Sequence, residues 1–313
     1  MDRPTHSKGA AAVVAITGAN GFLGRHTVKR AVEKGILIRG IVRRQEAADL
    51  VSGLGAETTL VAGLNEEDLS RALEDCSAVI HFAGNMSERY GSLEDINVRG
   101  TEALLRSAQL DKLSRFVVPT GLGVDQYGKR TWATNDYFDS KRRIENLCMT
   151  SQVPYIIFRP SYIIGPGDEL LPVIATSILN GKVLVVEEGD TPMQPLYVGD
   201  AANSFLSAAT GTGLEGSVYD LVGPETVTLT SLVPRVAEIM SEEGFVVPEY
   251  RVVKVPLGMA SEVLGLSREE VDVMLCDVVG DPGPFVRDFN AVLTPLDEAI
   301  RSAVEAFRDG RIV

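Results

Sequence analysis

A parallel sheet with helices wound over both faces, joined to a smaller mixed lobe, is the α/β architecture the sequence predicts, on three observations. Short apolar runs recur through the first half of the chain, at residues 11–16, 36–42, 58–61, 78–82, 116–118 and 155–158, each bordered by a helix-like stretch. Runs of this length alternating with helices mark strands buried on both faces of a parallel sheet. The first run leads into TGANGFLG at 17–24, where glycines recur at every third position between strand and helix. The repeat then loosens after Arg159, where Pro160, Pro166, Pro172, Pro192 and Pro195 interrupt the pattern and a second unit begins.

In chain order, residues 1–9 read as a loose tail and 11–16 as the first strand. A helix follows at 22–34, closed by Gly35, and 36–42 forms the second strand. The later runs supply the remaining strands, with right-handed crossovers between them. A strand at 196–198, a helix at 200–209 and a strand at 218–221 are expected to rejoin the main sheet. Residues 228–313 read as helices with one strand near 247–253, forming a lobe over the carboxyl ends of the strands. No internal repeat or low-complexity linker is visible.

Composition narrows the partners. A net charge of −13 argues against nucleic acid and against an anionic membrane surface. The run at 11–16 is too short for a membrane span or a leader core. Cys76, Cys148 and Cys276 form no C-x-x-C pair, so free thiols in a reducing, cytoplasmic setting are expected. His6, His26 and His81 have no metal-ligand spacing, and no metal site is expected.

The glycine string carries chemistry. Gly18 lets the chain turn off the strand, Gly21 lets a pyrophosphate approach the backbone, and Gly24 lets the helix pack closely on the sheet. The free N–H groups at the helix start then face the phosphates. This is the dinucleotide cradle of a Rossmann-type sheet, with wider glycine spacing than G-x-G-x-x-G. The expected division is a dinucleotide-binding domain over 1–160, which 195–222 rejoins, and a small substrate lobe from 161–194 and 223–313.

Tyr137 and Lys141 form a Y-x-x-x-K pair on a helix over 136–149, and four residues apart they share one face. An ammonium beside a phenol stabilises phenolate, so the tyrosine pKa is expected to fall and the phenol to exchange a proton with a substrate oxygen.

Together the two motifs resemble the extended branch of the short-chain dehydrogenase/reductase superfamily. HFAG at 81–84, INVRGTEALL at 96–105, YFDSKRRIE at 137–145, FRPSYIIGPGD at 158–168, PLYVGDAANSFL at 195–206 and YDLVGPE at 219–225 match in order, as does the closing helix at 293–307. The resemblance implies that Gly18, Asn20, Gly21, Phe22, Leu23 and Gly24 hold the pyrophosphate. Leu64 would lie near the adenine, and Ala83 and Gly84 beside the nicotinamide ribose. Tyr137 would be the general acid/base, Lys141 would bind the ribose and lower the tyrosine pKa, and Pro160 and Ile163 would flank the nicotinamide. Relatives commonly dimerise through helices matching 94–109 and 137–150, which implies a homodimer built on a four-helix bundle.

Two departures stand out. Gly121 occupies the place of the usual catalytic hydroxyl, so Thr120, one residue earlier, is the candidate; alternatively it caps the strand end. Gly63 replaces an aspartate that many relatives direct at adenine. After the second strand, Arg43 and Arg44 stand where NAD-binding members carry a carboxylate, and guanidinium groups suit a 2′-phosphate. NADP is therefore the expected cofactor and NAD the alternative. The segment at 193–198 lacks the arginine that holds nucleotide-sugar diphosphates, unless Arg235 or Arg251 substitutes. It resembles the atypical group containing the NADPH-binding accessory subunit of respiratory complex I. Three readings follow: an NADP-dependent oxidoreductase of a small carbonyl or alcohol, a nucleotide-sugar epimerase or dehydratase, and a non-catalytic NADP(H)-binding assembly or sensor protein.

Overall fold

The structure, a computed structural model, describes residues 12–126 and 135–310; the N-terminal tail therefore lies outside the described residues. The first apolar run forms β1 (Val13–Thr17), followed by α1 (Phe22–Glu33), β2 (Leu37–Val42), α2 (Gln45–Gly53), β3 (Glu57–Leu60), α3 (Glu66–Leu73) and β4 (Cys76–His81). A short turn at Glu88–Tyr90 and a π-helical turn at Glu94–Arg99 lead into α4 (Gly100–Leu110), then β5 (Arg115–Pro119), α5 (Asp136–Thr150) and β6 (Tyr155–Pro160). All the strands of the main sheet pair in parallel, in the order β3-β2-β1-β4-β5-β6, with a seventh strand, Ser217–Leu221, on the far edge beside β6.

Side-chain alternation explains the two apolar faces. On β1, Val14 and Ile16 join a core with Val28 of α1 and Val51 of α2, while Ala15 faces a second core with Leu69 of α3, Leu104 of α4 and Ile144 of α5. On β6, Ile156 and Phe158 face the first core and Ile157 the second. A strand buried on both sides must be apolar throughout, which is why these strands read as continuous runs.

The remaining elements are β7 (Ile163–Ile164), α6 (Leu170–Leu179), β8 (Lys182–Val186), β9 (Leu196–Tyr197), α7 (Val198–Ala209), β10 (Ser217–Leu221), α8 (Leu229–Glu242), β11 (Arg251–Val255), α9 (Leu257–Leu264), α10 (Arg268–Met274), α11 (Gly283–Phe289) and α12 (Leu296–Arg308). As expected, β10 joins the main sheet beside β6. The strand at 196–198 does not: β9 pairs with β7 in a separate two-stranded sheet. Its parity is set by Leu196 N–H, which donates to the Tyr162 carbonyl and draws the segment away from the main sheet. The lobe strand expected near 247–253 lies at Arg251–Val255 and pairs in parallel with β8, a strand that the proline-rich surroundings concealed. Helices α6, α8 and α12 close over a third apolar core containing Ile174, Val236 and Ile300.

Phe158 shows what holds the first core together. Its ring meets Phe205 edge-on at 4.9 Å between centroids and lies near Phe289 at 5.5 Å and Tyr219 at 5.9 Å. Truncating such a residue to alanine costs about 3–5 kcal/mol.

Candidate active site

At the carboxyl ends of β1 and β4, where the strand order reverses, a cavity of about 400 Å³ opens. Gly18, Asn20, Gly21, Arg43, Leu64, Ala83 and Gly84, all predicted from sequence, line it. Gly18 has φ +65°, and a Cβ there would stand 2.8 Å from the Ala83 nitrogen. Gly24 is packed harder still, since a Cβ would lie 2.3 Å from the Gly18 carbonyl oxygen. Glycine at 24 therefore serves the close seating of α1 on the turn. Gly21 is the N-cap of α1 and meets nothing nearer than 3.3 Å. Its missing side chain leaves the mouth of the turn open, as a phosphate cradle requires. Phe22, Leu23 and Gly24 form the first turn of α1, where backbone N–H groups have no intrahelical partner. Their side chains look elsewhere: Phe22 stands edge-on to His26, and Leu23 packs on the core.

On the opposite wall, Leu64 lies against Gly100, where a Cβ would come within 2.5 Å of the leucine side chain. Arg43 is exposed and has no ion-pair partner among the described residues. Arg44 does not join it; it is the exposed N-cap of α2, outside the cavity wall. Pro160 and Ile163 also stand outside the wall, at the end of β6 and in β7.

A chain of hydrogen bonds under the cavity went unrecognised in the sequence. The Ala83 N–H donates to Thr17 Oγ1 (3.2 Å), Thr17 donates to His81 Nδ1 (2.7 Å), and His81 Nε2–H donates to Thr101 Oγ1 (2.9 Å). Thr101 in turn donates to the Asn97 carbonyl. With an amide at one end and a carbonyl at the other, the directions leave His81 neutral with its proton on Nε2. Burial, with the Lys141 charge adding to it, pushes His81 down to about 3. The Asn97 side chain accepts from the Asn85 N–H (2.7 Å) and donates to the Asn85 carbonyl and to Ser140 Oγ (both 2.9 Å). Ser140 donates to the Tyr137 carbonyl at 2.7 Å. The loop after β4, the π-helical turn and α5 are thereby fixed to one another.

Asn135 caps α5 by accepting from the Phe138 N–H, and one turn on, Lys141 Nζ stands 5.8 Å from the Tyr137 ring centroid. A Cβ on Gly84 would lie 3.7 Å from that ammonium, so Lys141 stands at the end of the cavity. The expectation of a depressed tyrosine pKa is corrected here. Burial pushes the Tyr137 phenol up to about 12 and the Lys141 ammonium down to about 8. Desolvation outweighs the attraction of a cation this far from the ring.

Thr120 also differs from expectation. It is buried, and its hydroxyl donates to Glu145 Oε1 at 2.8 Å, beside the two bonds from Arg159 to the same carboxylate (2.8 and 2.7 Å). The residue facing the phenol is Gly121, whose Cβ would stand 3.8 Å from the Tyr137 hydroxyl. Thr120 thus completes a buried ionic cluster under the site.

The turn geometry fits a dinucleotide phosphate, and comparison with known proteins agrees. The family model for NAD(P)H-binding proteins matches residues 18–173. A 4-hydroxy-2-methyl-3-oxo-4-farnesyl-3,4-dihydroquinoline-1-oxide ketoreductase of Stigmatella aurantiaca is 30% identical over 71% of this chain and 72% of its own. The mitochondrial NADH dehydrogenase [ubiquinone] 1 alpha subcomplex subunit 9 of Arabidopsis thaliana is 27% identical over 79% of this chain and 61% of its own length. The UDP-glucose 4-epimerase of Thermotoga maritima superposes with a TM-score of 0.76 at 17% identity, covering 95% of this chain and 99% of that one. The chain belongs to the extended short-chain dehydrogenase/reductase family, and with it to the NAD(P)-dependent oxidoreductases. Among the described residues no helix is long and apolar enough to cross a membrane, and no acidic, histidine and cysteine cluster could hold a metal.

Proposed function

We propose that the chain reduces an apolar ketone to the secondary alcohol with NADPH, Tyr137 donating the proton to the carbonyl oxygen. The observation that carries this reading is the Tyr137 phenol itself, half-buried and kept protonated by desolvation, with Lys141 between it and the dinucleotide cradle. NADPH, when bound, supplies the hydride. The protein's part is orientation and the proton. Gly18, Asn20, Gly21 and the N–H groups of Phe22, Leu23 and Gly24 hold the pyrophosphate; Leu64 flanks the adenine; Ala83, Gly84 and Lys141 border the second ribose. Arg43, exposed and without an ion-pair partner among the described residues, meets the 2′-phosphate and favours NADP over NAD. The division into a domain over 1–160 and a lobe from 161–194 and 223–313 gives each ligand its own walls, with α10 reaching Tyr137 through Val273.

The surroundings of Tyr137 favour an apolar substrate over a nucleotide sugar. Val124, Phe138, Val273 and Cys276 cluster with it. Arg235, which could have held a diphosphate, is clamped by Glu225 (2.8 Å) and Asp297, and Arg251 is exposed at the start of β11. The farnesyl-bearing ring ketone named for the Stigmatella relative is a substrate of this kind. A cytoplasmic enzyme fits three cysteines that form no disulfide. A homodimer through α4 and α5 fits the exposure of Leu110 and Met149 on these helices.

One observation favours a second reading. Gly121 leaves the site without the usual hydroxyl, as a cofactor-binding subunit of a larger assembly would tolerate, and a complex I subunit is among the relatives. Oxidation of NADPH by 2-decanone separates the two. Tyr137→Phe is expected to lower kcat about 10²–10⁴-fold with the Kd for NADPH unchanged. Arg43→Ala is expected to raise the KM for NADPH about tenfold and leave that for NADH alone. A Tyr137→Phe variant as active as the parent removes the ketoreductase reading, and NADPH binding without turnover of any ketone leaves the second.

A further inference from the structure

The site has room for a hydroxyl that its sequence does not place there. A Cβ on Gly121 would stand 3.8 Å from the Tyr137 hydroxyl and 4.0 Å from Val124, both ordinary contacts, and the φ of Gly121 lies outside the left-handed region. A serine would fit. Thr120, its neighbour, is spent on Glu145. A single phenol would then face a carbonyl oxygen that has two lone pairs to satisfy.

A second phenol is close by. The Leu122 N–H donates to the Pro160 carbonyl (3.3 Å), which holds the segment after β5 beside the segment after β6. Tyr162 lies two residues beyond Pro160 and packs against the apolar cluster containing Leu122. Negative charge on Tyr137 or Cys276 would raise its pKa further, so both lie within electrostatic reach of it. Ser161, the residue before Tyr162, donates to the Val278 carbonyl (2.8 Å), two residues beyond Cys276, and Cys276 shares a cluster with Tyr137, Val124 and Phe138, so the link carrying Tyr162 is held beside the surroundings of Tyr137. Neither hydroxyl has a hydrogen-bond partner among the described residues. Burial pushes Tyr162, like Tyr137, up to about 12, so both phenols are O–H donors at neutral pH.

We propose that Tyr162 is the second donor of the site, its O–H holding the substrate's carbonyl oxygen together with Tyr137 where Gly121 offers no hydroxyl. The assignment rests on the ketoreductase reading. Tyr137 transfers its proton, and Tyr162 keeps its own and stabilises the negative charge that develops on the oxygen.

The test uses the full chain as wild type, Tyr162→Phe, Gly121→Ser and the double variant. Ketone reduction is followed with NADPH and 2-decanone, and 2-decanone is titrated by calorimetry into the NADP⁺ complex, which cannot turn over. Tyr162→Phe is expected to lower kcat about 10²–10³-fold, as loss of one such donor does, and to weaken 2-decanone at least about fivefold. NADPH affinity should stay within about twofold. Adding Gly121→Ser should restore at least about tenfold of the lost rate, because it returns a hydroxyl to the same oxygen. A purely structural role would lower Tm and cofactor affinity and would not be relieved at Gly121. A Tyr162→Phe variant within about threefold of wild type, or a loss the serine does not relieve, overturns the assignment. So does a silent Tyr162→Phe beside a large loss in Ser87→Ala, since Ser87 Oγ is a buried hydroxyl without a partner among the described residues. A wild type that neither reduces nor binds 2-decanone overturns the ketoreductase reading, and this assignment with it.

Discussion

The two ends of the site are built by different means. The dinucleotide end is made of backbone: a glycine turn, a helix start and the strand end at Ala83–Gly84, within a few residues of two neighbouring strands. The end around Tyr137, where we propose that the carbonyl binds, is made of side chains arriving separately from the segment after β5, from α5, from the link between β6 and β7, and from α10. The first kind of site tolerates almost no change in shape. The second accepts substitution as long as some donor reaches the reacting oxygen.

The sharpest way to break this contrast is to add one methyl group at each end. Gly24→Ala puts a Cβ 2.3 Å from backbone, so α1 must shift off the turn; NADPH affinity is expected to fall by more than about 100-fold or the protein to unfold. Gly121→Ser should leave Tm within about 2 °C, since its Cβ meets only ordinary contacts. Equal tolerance at both, read by isothermal calorimetry and thermal melts, would erase the distinction.

Acid reaches the dinucleotide end next. His81 is neutral in the fold, with a pKa near 3 against 6.5 for a free imidazole. The unfolded chain therefore takes up the proton first, and the stability this residue contributes is present above about pH 6.5 and lost as pH falls toward 3. At about 1.4 kcal/mol per pH unit, the loss reaches a few kcal/mol by pH 4. His81→Asn should flatten the acid limb of a urea-denaturation series. An unchanged limb would show that His81 is not the group responsible.

The smallest effect is expected at Thr120. Thr120→Val removes one of the donors to the buried Glu145 carboxylate and should cost about 1–3 kcal/mol, with kcat within about threefold. A large kcat loss with full stability would return Thr120 to the chemistry.

Much of this was legible, because it is local. The turn at 17–24 announces itself through three glycines between strand and helix, and Tyr137 with Lys141 through one helical turn. Thr120 was not, since successive residues leaving a strand face opposite sides, and only the pairing of β5 with β6 decides which side holds the tyrosine. Nor was the tyrosine pKa, which depends on how much water the lobe excludes and not on the spacing to Lys141. Strand β9, two residues long, carries too little pattern to say which sheet it joins. The Thr17–His81–Thr101–Asn97 chain links residues up to 64 apart in sequence, beyond any periodicity.

The π-helical turn at Glu94–Arg99 bears on insertion and deletion. Asp95, Ile96 and Arg99 reach the cavity wall from it, and Asn97 reaches Asn85 and Ser140. Removing one residue there would restore ordinary helical winding and rotate these side chains by about 100° relative to α4. The segment lies near the surface, where length changes are normally harmless. In this chain its length is as constrained as the identity of Gly24.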